Sequence, residues 1–283
     1  MKTPLIILLL AALCFEAEAQ VLIPAASPKG TVSTVVGLTE IQVDYFRPQM
    51  RGRKIFGDGE EYVTPYGRMW RTGANSGTVI SFADDVTVEG IKVPKGKYLL
   101  LTIPGASEWT VMLYSDLSLG GNVHLYDKSK EVASFKVKPT TLSQPVETMT
   151  VNIGDISDDS REAKIELAWE KTSVKFTVGV EYDSKVMASI QGTKDMNAFD
   201  LFQAAMYYLE NGKDLKQALE WISRAEETIK DAYWLQYQKA RIQQALGDKA
   251  GALATAKASL ENAKAAQDLP YQKMNQALIA SLQ

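Results

Sequence analysis

The chain changes its hydrophobic period once, and this change limits the possible folds more than any other feature. Between about Thr31 and Tyr182 the apolar residues mostly alternate with polar ones, as they do in half-buried β-strands. Beyond Asp183 the chain is dominated by Ala, Leu, Gln, Lys and Glu, which favour helices. The sequence therefore predicts an all-β domain followed by a separate all-α domain.

The β part carries turn signals between its alternating segments. Examples are Gly37, the Glu89-Gly90 pair and the Pro104-Gly105 pair. No segment of useful length shows a helical period before residue 183. Many short strands at hairpin spacing indicate an antiparallel sandwich or barrel-like domain, which we place at residues 20–182. Its most direct core candidates are the large aromatic residues Trp109, Phe135, Trp169 and Phe176.

The helical part, residues 183–283, contains an internal repeat. The segment NGKDLKQALEWISRAEE partly matches LGDKAGALATAKASLEN, with Ala218 and Ala252 at matching positions 34 residues apart. The match is partial, because Gly212 is offset by one from Gly247. A spacing of 34 residues is the period of tetratricopeptide helical hairpins, so we predict a tetratricopeptide-like tail. Such repeats need about three units for a continuous core, and the tail has about two. We therefore hypothesise that it docks on the β domain or on a partner protein.

Aromatic residues are frequent in the tail and allow two interpretations. At helical spacing, such residues usually pack between repeats or against a neighbouring domain. The alternative is a groove that binds a peptide or a partner protein. The residues concerned are Tyr207, Tyr208, Trp221, Tyr233, Trp234 and Tyr237.

The N-terminus has the pattern of a secretory signal peptide over residues 1–19. Lys2 is followed by the apolar run PLIILLLAALCF, and Ala17 and Ala19 supply the small residues before a cleavage site. A lipoprotein signal with Cys14 as the lipidated residue is the alternative. No later stretch is long enough to cross a bilayer. We expect an exported, periplasmic or extracellular protein that does not span the membrane.

The scarcity of cysteine and histidine excludes several chemistries. Cys14 is the only cysteine, so the mature chain would have no disulfide and no thiolate nucleophile. His124 is the only histidine, which argues against histidine-rich zinc sites and leaves one candidate for a catalytic triad. The net charge is −3 without a basic tract, which argues against nucleic-acid binding. We predict neither a metal nor a cofactor.

The densest polar cluster lies between Arg47 and Arg71, a segment that contains six cationic and three anionic side chains. Arginine binds carboxylate or phosphate through paired hydrogen bonds, and an indole ring can stack on a sugar or a guanidinium. Glycines at 67, 73 and 77 permit a close approach of the backbone. The sequence predicts a site for an anionic or polyhydroxylated small molecule. Its proposed members are Arg53, Arg68, Trp70, Arg71 and Asn75.

Two other interpretations of this cluster stay open. In the first, the arginines only brace the domain by packing on aromatic rings and pairing with its own carboxylates. In the second, the protein is a hydrolase or lyase whose arginines clamp an anionic or sugar substrate. Asp44, Glu60 or Glu61 would then act as the acid or base.

Several motifs occur together in the β part. In order they are SPKGTVSTVVGLTEIQVDYFRP, RGRKIFG, PYGRMWRTGAN, DDVTVEGIKVPKGKYLLLTIPG and WTVMLY. This sequence resembles the family of secreted bacterial proteins called domain of unknown function 2911, over roughly Ser27 to Val180. The tail resembles the C-terminal part of longer members. Relatives usually carry a tryptophan near the segment LSLGGNVHLYD, and this chain does not. The resemblance implies an exported β domain but no activity and no catalytic residue.

Overall fold

A computed structural model describes residues 23–283 of the chain. The predicted signal peptide and Cys14 lie outside the described residues. The chain divides into two compact units, with the boundary between Tyr182 and Asp183. The first unit is built from β-strands and the second from α-helices, which confirms the predicted fold class.

The β unit contains twelve strands within the described residues. They are β1 (Lys29–Val36), β2 (Thr39–Phe46), β3 (Phe56–Gly57), β4 (Thr64–Pro65), β5 (Thr78–Phe82), β6 (Val86–Val88), β7 (Ile91–Val93), β8 (Gly96–Ile103), β9 (Trp109–Tyr114), β10 (Glu131–Val137), β11 (Thr140–Gly154) and β12 (Glu162–Val180). A six-stranded antiparallel sheet has the order β1-β2-β5-β8-β9-β10, and a four-stranded sheet has the order β11-β12-β6-β7. Strands β3 and β4 form a short parallel pair.

Strand β12 folds back on itself. Glu170 adopts a left-handed backbone conformation with φ of 55°. The amide of Val180 donates to the carbonyl oxygen of Arg161 over 2.8 Å, so the two ends of the strand lie side by side. Lys175 and Glu166 form an ion pair of 3.6 Å in the same antiparallel register. This register places Glu162 opposite Gly179.

The two large sheets share one core, which makes the unit a β-sandwich. Strand β2 contributes to this core through one face only. Ile41, Val43 and Tyr45 are buried, while the residues between them are partly exposed. At the centre of the core lie four aromatic rings, those of Phe56, Trp70, Trp109 and Trp169, with centroids 4.9–6.4 Å apart. The aromatic residues predicted for the core are buried, as expected.

A second apolar cluster lies on the opposite face of the six-stranded sheet. Its buried members are Leu99, Leu101, Met112, Tyr114 and Leu119. The connection between β9 and β10 supplies Leu119 and forms three short 3-10 turns, Leu117–Leu119, Val123–Leu125 and Lys128–Lys130. Burial of Leu119 therefore fixes the adjacent Gly120-Gly121 pair above the sheet.

The helical unit contains six helices. They are α1 (Asp183–Gly192), α2 (Ala198–Glu210), α3 (Leu215–Thr228), α4 (Tyr233–Ala245), α5 (Lys249–Ala265) and α6 (Leu269–Ser281). Asn197 caps α2 in a reciprocal capping box with Asp200. Asp214, Asp248 and Asp268 cap α3, α5 and α6 with their carboxylates.

Two helical pairs, α2 with α3 and α4 with α5, pack in succession, and α6 packs on α5 and α4. Ala218 and Ala252 are both fully buried at equivalent positions of α3 and α5. The aromatic residues pack between helices, since the ring centroids of Tyr208 and Trp221 are 4.7 Å apart and those of Tyr237 and Tyr271 are 5.8 Å apart. Within residues 23–283 no helix combines the length and the apolar character needed to cross a bilayer.

Candidate functional site

The predicted site residues Trp70, Arg71 and Asn75 lie in one connection, between β4 and β5. Trp70 is tied to β8 by two backbone hydrogen bonds with Thr102, of 2.7 and 2.9 Å. The indole ring points into the core, stacks on Trp169 and is 9% exposed. Its Nε1 donates to the carbonyl oxygen of Gly73 over 3.1 Å. Trp70 therefore anchors the loop and does not offer its face to a ligand at the surface.

The loop after Trp70 is held in an unusual backbone conformation. Thr72 is fully buried and has φ of 52°, although a β-branched residue strongly disfavours this region. Its hydroxyl shares a hydrogen bond of 3.0 Å with the hydroxyl of Thr102. Thr78 donates from its hydroxyl to the carbonyl oxygen of Thr72. Strained residues of this kind persist where the surrounding structure over-determines them, often at functional sites.

Arg71 is the partly buried cation of this loop. Its Nη1 donates to the carbonyl oxygen of Gly121 over 3.3 Å, across fifty residues of sequence. Its Nε is buried and has no hydrogen-bond partner among the described residues. Nor does the guanidinium form an ion pair with any carboxylate of residues 23–283. An unsatisfied buried donor costs about 1–3 kcal/mol, so a further acceptor at this guanidinium would be stabilising.

Glycine at position 121 makes room for Arg71. A β-carbon there would lie 3.0 Å from Nη1 of Arg71 and 2.6 Å from the carbonyl oxygen of Asn75. The guanidinium thus lies against the loop between β9 and β10, beside the backbone of Asn75. Asn75 is exposed and left-handed, with φ of 52°. The structure therefore brings Arg71 and Asn75 together.

Arg53 and Arg68 have other partners. Arg53 is exposed and donates to the carbonyl oxygens of Met50 and Gln49, over 3.0 and 2.6 Å. Arg68 forms an ion pair with Glu60 in which both side chains are more than half exposed. Such exposed pairs contribute about 0–1 kcal/mol. For these two arginines the geometry matches the bracing interpretation.

Arg47 is a second partly buried arginine whose Nε has no partner among the described residues. Its methylene groups pass over Gly30, where a β-carbon would lie 2.9 Å from Cδ of Arg47. It lies at the end of β2, outside the loop that holds Arg71. Arg47 belongs to the cationic cluster predicted from the sequence but is not one of the five predicted site residues.

Asp44, one of the three carboxylates predicted as a possible acid or base, is held by several hydrogen bonds. Asp44 accepts from the hydroxyl of Thr31 over 2.5 Å and from Gln42 over 2.8 Å, and Lys29 lies 3.6 Å away. The Thr31 hydrogen bond, followed by those of Gln42 and Lys29, lowers the pKa of Asp44 despite partial burial. Asp44 therefore remains ionised near neutral pH and is unsuited to donating a proton.

Glu60 and Glu61 lie in the exposed connection before β4. Glu60 pairs with Arg68, and Glu61 lies 3.9 Å from Lys54. His124, the sole histidine, is exposed in the Val123–Leu125 turn. No group of three or more histidine, cysteine or acidic residues within residues 23–283 is arranged to hold a metal ion.

Two cavities involve residues that the sequence analysis did not single out as a site. The larger, about 660 Å³, lies over β12, β6 and β7 of the four-stranded sheet, beside Gly179, Thr87 and Lys92. The smaller, about 320 Å³, is lined by residues of β2, β5 and β8 that include Gln42 and Lys97. Arg71 lines neither of them. The only signal in the sequence for the larger cavity is Gly179, which interrupts the side-chain alternation of β12.

Comparison with protein-family models gives one match, over residues 27–178, to a family described as a protein of unknown function, DUF2911. Searches of curated proteins and of solved structures find no significant match. The matched region begins just before β1 and ends two residues before the end of β12. It thus contains the sandwich core, the Arg71 loop and the Gly120-Gly121 pair. The chain belongs to the DUF2911 family.

Proposed function

We propose that this chain is an exported, two-module binding protein whose β unit binds a small anionic molecule at Arg71. The observation that carries the proposal is the guanidinium of Arg71. It is held by a strained loop and by Gly121, its Nε is buried without a partner, and no described carboxylate neutralises it. A carboxylate or phosphate, including that of a sugar acid, would supply the missing acceptor.

Anchoring of the loop supports binding over simple bracing. The Trp70 ring and the Thr72 and Thr78 hydroxyls hold the backbone on both sides of Arg71. Because the Arg71 side chain is already ordered before an anion binds, binding costs little side-chain entropy, which favours affinity. The backbone of Asn75 lies beside the guanidinium, and its exposed side chain has an amide donor and acceptor that suit a polyhydroxylated or carboxylated ligand.

Export follows from the N-terminal pattern of Lys2, the apolar run and Ala19. The proposed location is the periplasm or the extracellular space. Cleavage after Ala19 would leave the whole described β unit in the mature chain. Mass spectrometry of the secreted protein, with a new N-terminus at Gln20, is the direct check.

The helical unit is proposed as a tetratricopeptide-like module that binds a protein partner. Helices α3 and α5 begin 34 residues apart, at Leu215 and Lys249, and bury Ala218 and Ala252 equivalently. Phe199 leaves 55% of its surface exposed beside Phe202, which is an unusual position for a phenylalanine. Exposed aromatic residues of this kind are frequent at protein interfaces.

Thermal-shift titration of the chain without residues 1–19 tests the anion site. The probes are inorganic phosphate, glucuronate and the neutral analogue glucose. We expect the two anions to raise the melting temperature and glucose to have no effect, because only an anion supplies the acceptor. Arg71→Gln should abolish the shift, whereas the matched Arg68→Gln should retain it. Equal shifts in both variants would remove Arg71 from the site.

A further inference from the structure

The four-stranded sheet carries a trough on its outer face, and this trough is the larger cavity of about 660 Å³. Its floor follows from strand register. Gly179 pairs with Thr87, and Thr87 pairs with Lys92. The fold-back of β12 places Glu162 beside Gly179, since the hydrogen bond between Val180 and Arg161 sets that register. One row of outward-facing positions therefore runs Glu162, Gly179, Thr87, Lys92.

Gly179 and Thr87, in the middle of this row, form the floor of the trough because their side chains are small. Gly179 has no side chain, and a β-carbon there would lie 2.5 Å from Oγ1 of Thr87. Thr87 therefore leans over the glycine, and the trough lies above both residues. Val86 and Val93 contribute only backbone to the trough because their side chains are buried in the core, and the side chains beside the row are those of Asp85, Pro94 and Glu181. A glycine within a strand often marks a site where a ligand or another backbone approaches closely.

The two ends of the row carry opposite charges without partners. Neither Glu162 nor Lys92 makes a side-chain hydrogen bond or an ion pair with another described residue. Three strand spacings separate them, or about 14 Å, which is too far for a direct ion pair. The other charged groups on the wall are occupied. Arg161 pairs with Glu181 over 3.3 Å, and Asp85 accepts from the backbone amide of Lys95 over 2.8 Å.

We infer that the trough binds a short zwitterionic peptide. Its ammonium group lies at Glu162 and its carboxylate at Lys92, while its backbone passes over Gly179. An extended peptide of two or three residues is roughly 7–11 Å long, so it fits between these two positions, which lie about 14 Å apart. The trough is distinct from the Arg71 loop, so the inference does not rest on the proposed anion site.

Calorimetric titration of the chain without residues 1–19 tests the inference with three forms of one tripeptide, Ala-Leu-Ala. The forms are the free zwitterion, the N-acetylated peptide and the C-terminal amide. We expect the free peptide to bind and each blocked form to bind about fivefold more weakly, because each loses one exposed charge contact.

Two variants assign the ends of the peptide. Glu162→Gln should weaken binding of the free peptide about fivefold and leave binding of the acetylated form unchanged. Lys92→Gln should weaken binding of the free peptide about fivefold and leave binding of the C-terminal amide unchanged. Glu40→Gln and Lys97→Gln, which remove similar charges from the other sheet, serve as matched controls and should change nothing. Arg71→Gln should also leave peptide binding intact.

The inference is overturned if the free tripeptide gives no binding heat at millimolar concentration. It is equally overturned if Glu162→Gln and Lys92→Gln bind all three forms as the parent chain does. All four charge substitutions lie at exposed positions, so the variants should fold, and circular dichroism with a thermal melt verifies this.

Discussion

The loop from Trp70 to Thr78 and the segment from Arg47 to Gly57 look alike in composition, since both combine arginine, aromatic residues and glycine. In the structure they differ. The loop buries Trp70, Thr72 and Gly73, and side-chain hydrogen bonds hold its backbone. In the upstream segment residues 51–54 are exposed, and Arg53 mainly caps nearby carbonyl oxygens. The difference teaches that local composition finds cationic segments, but anchoring from distant strands decides which cation is held in place.

The largest expected effect comes from removing the anchor of the loop. Trp70→Ala should lower the free energy of unfolding by about 3–5 kcal/mol, because it leaves a cavity among Phe56, Trp109 and Trp169. Tyr62→Ala, in the connection after the upstream segment, should cost only about 1–2 kcal/mol because its ring is partly exposed. Urea denaturation followed by fluorescence measures both. Equal losses would mean that the two regions are anchored alike.

A smaller effect is expected where the Trp70–Thr78 loop contacts the connection between β9 and β10. Gly121→Ala should destabilise the protein by about 1–3 kcal/mol, because the new methyl group overlaps the carbonyl oxygen of Asn75 and crowds Arg71. Gly52→Ala meets no atom within 4 Å, so its cost comes only from its left-handed backbone, at about 1 kcal/mol. The same denaturation assay applies. In Gly121→Ala, anion binding at Arg71 should also fall, whereas Gly52→Ala should leave it unchanged.

The carboxylate Asp44 gives a pH-dependent test. Its folded pKa is lowered, chiefly by the Thr31 hydrogen bond, so its ionised form stabilises the folded state above the unfolded pKa of about 3.9. This stability is lost as the pH falls through the folded pKa. Asp44→Asn should therefore lower the free energy of unfolding by about 1 kcal/mol at pH 7 and by progressively less below pH ~4. A difference that persists unchanged at pH ~2 would contradict the assignment.

The smallest effect is expected in the exposed ion pair. Arg68→Ala should change the free energy of unfolding by about 0.5 kcal/mol or less, since both Arg68 and Glu60 are largely exposed. High salt should erase even that difference. Denaturation at low and at high ionic strength measures it. A loss above 2 kcal/mol would show that this arginine, too, is structurally anchored.

The sequence was sufficient to predict the architecture because both periods are local. Alternation on β2 and helix caps such as Asn197 and Asp214 can be seen within a few residues. The burial of Trp109 and Trp169 also followed from their place in alternating strands.

The site was less predictable because its decisive contacts are distant in sequence. Arg71 reaches Gly121 across fifty residues, and Trp70 is fixed by Thr102 on another strand. The trough depends on the fold-back of β12, which brings Glu162 beside Gly179, and no single segment of the sequence contains both partners of that contact. Of the five residues predicted for a ligand site, the loop holds Arg71 and Asn75 together, while Trp70 supports them from the core.

The central claim is that Arg71, and not the other arginines of the cluster, receives an anion. Proton–nitrogen correlation spectra of the arginine Nε–H groups measure this directly during titration of the ¹⁵N-labelled chain with phosphate. Substitutions of Arg47, Arg68 and Arg71 by glutamine assign the three signals. We predict a saturable shift of the Arg71 signal while the Arg47 and Arg68 signals stay in place. A shift confined to Arg47 or Arg68, or no saturable shift at all, would contradict the account.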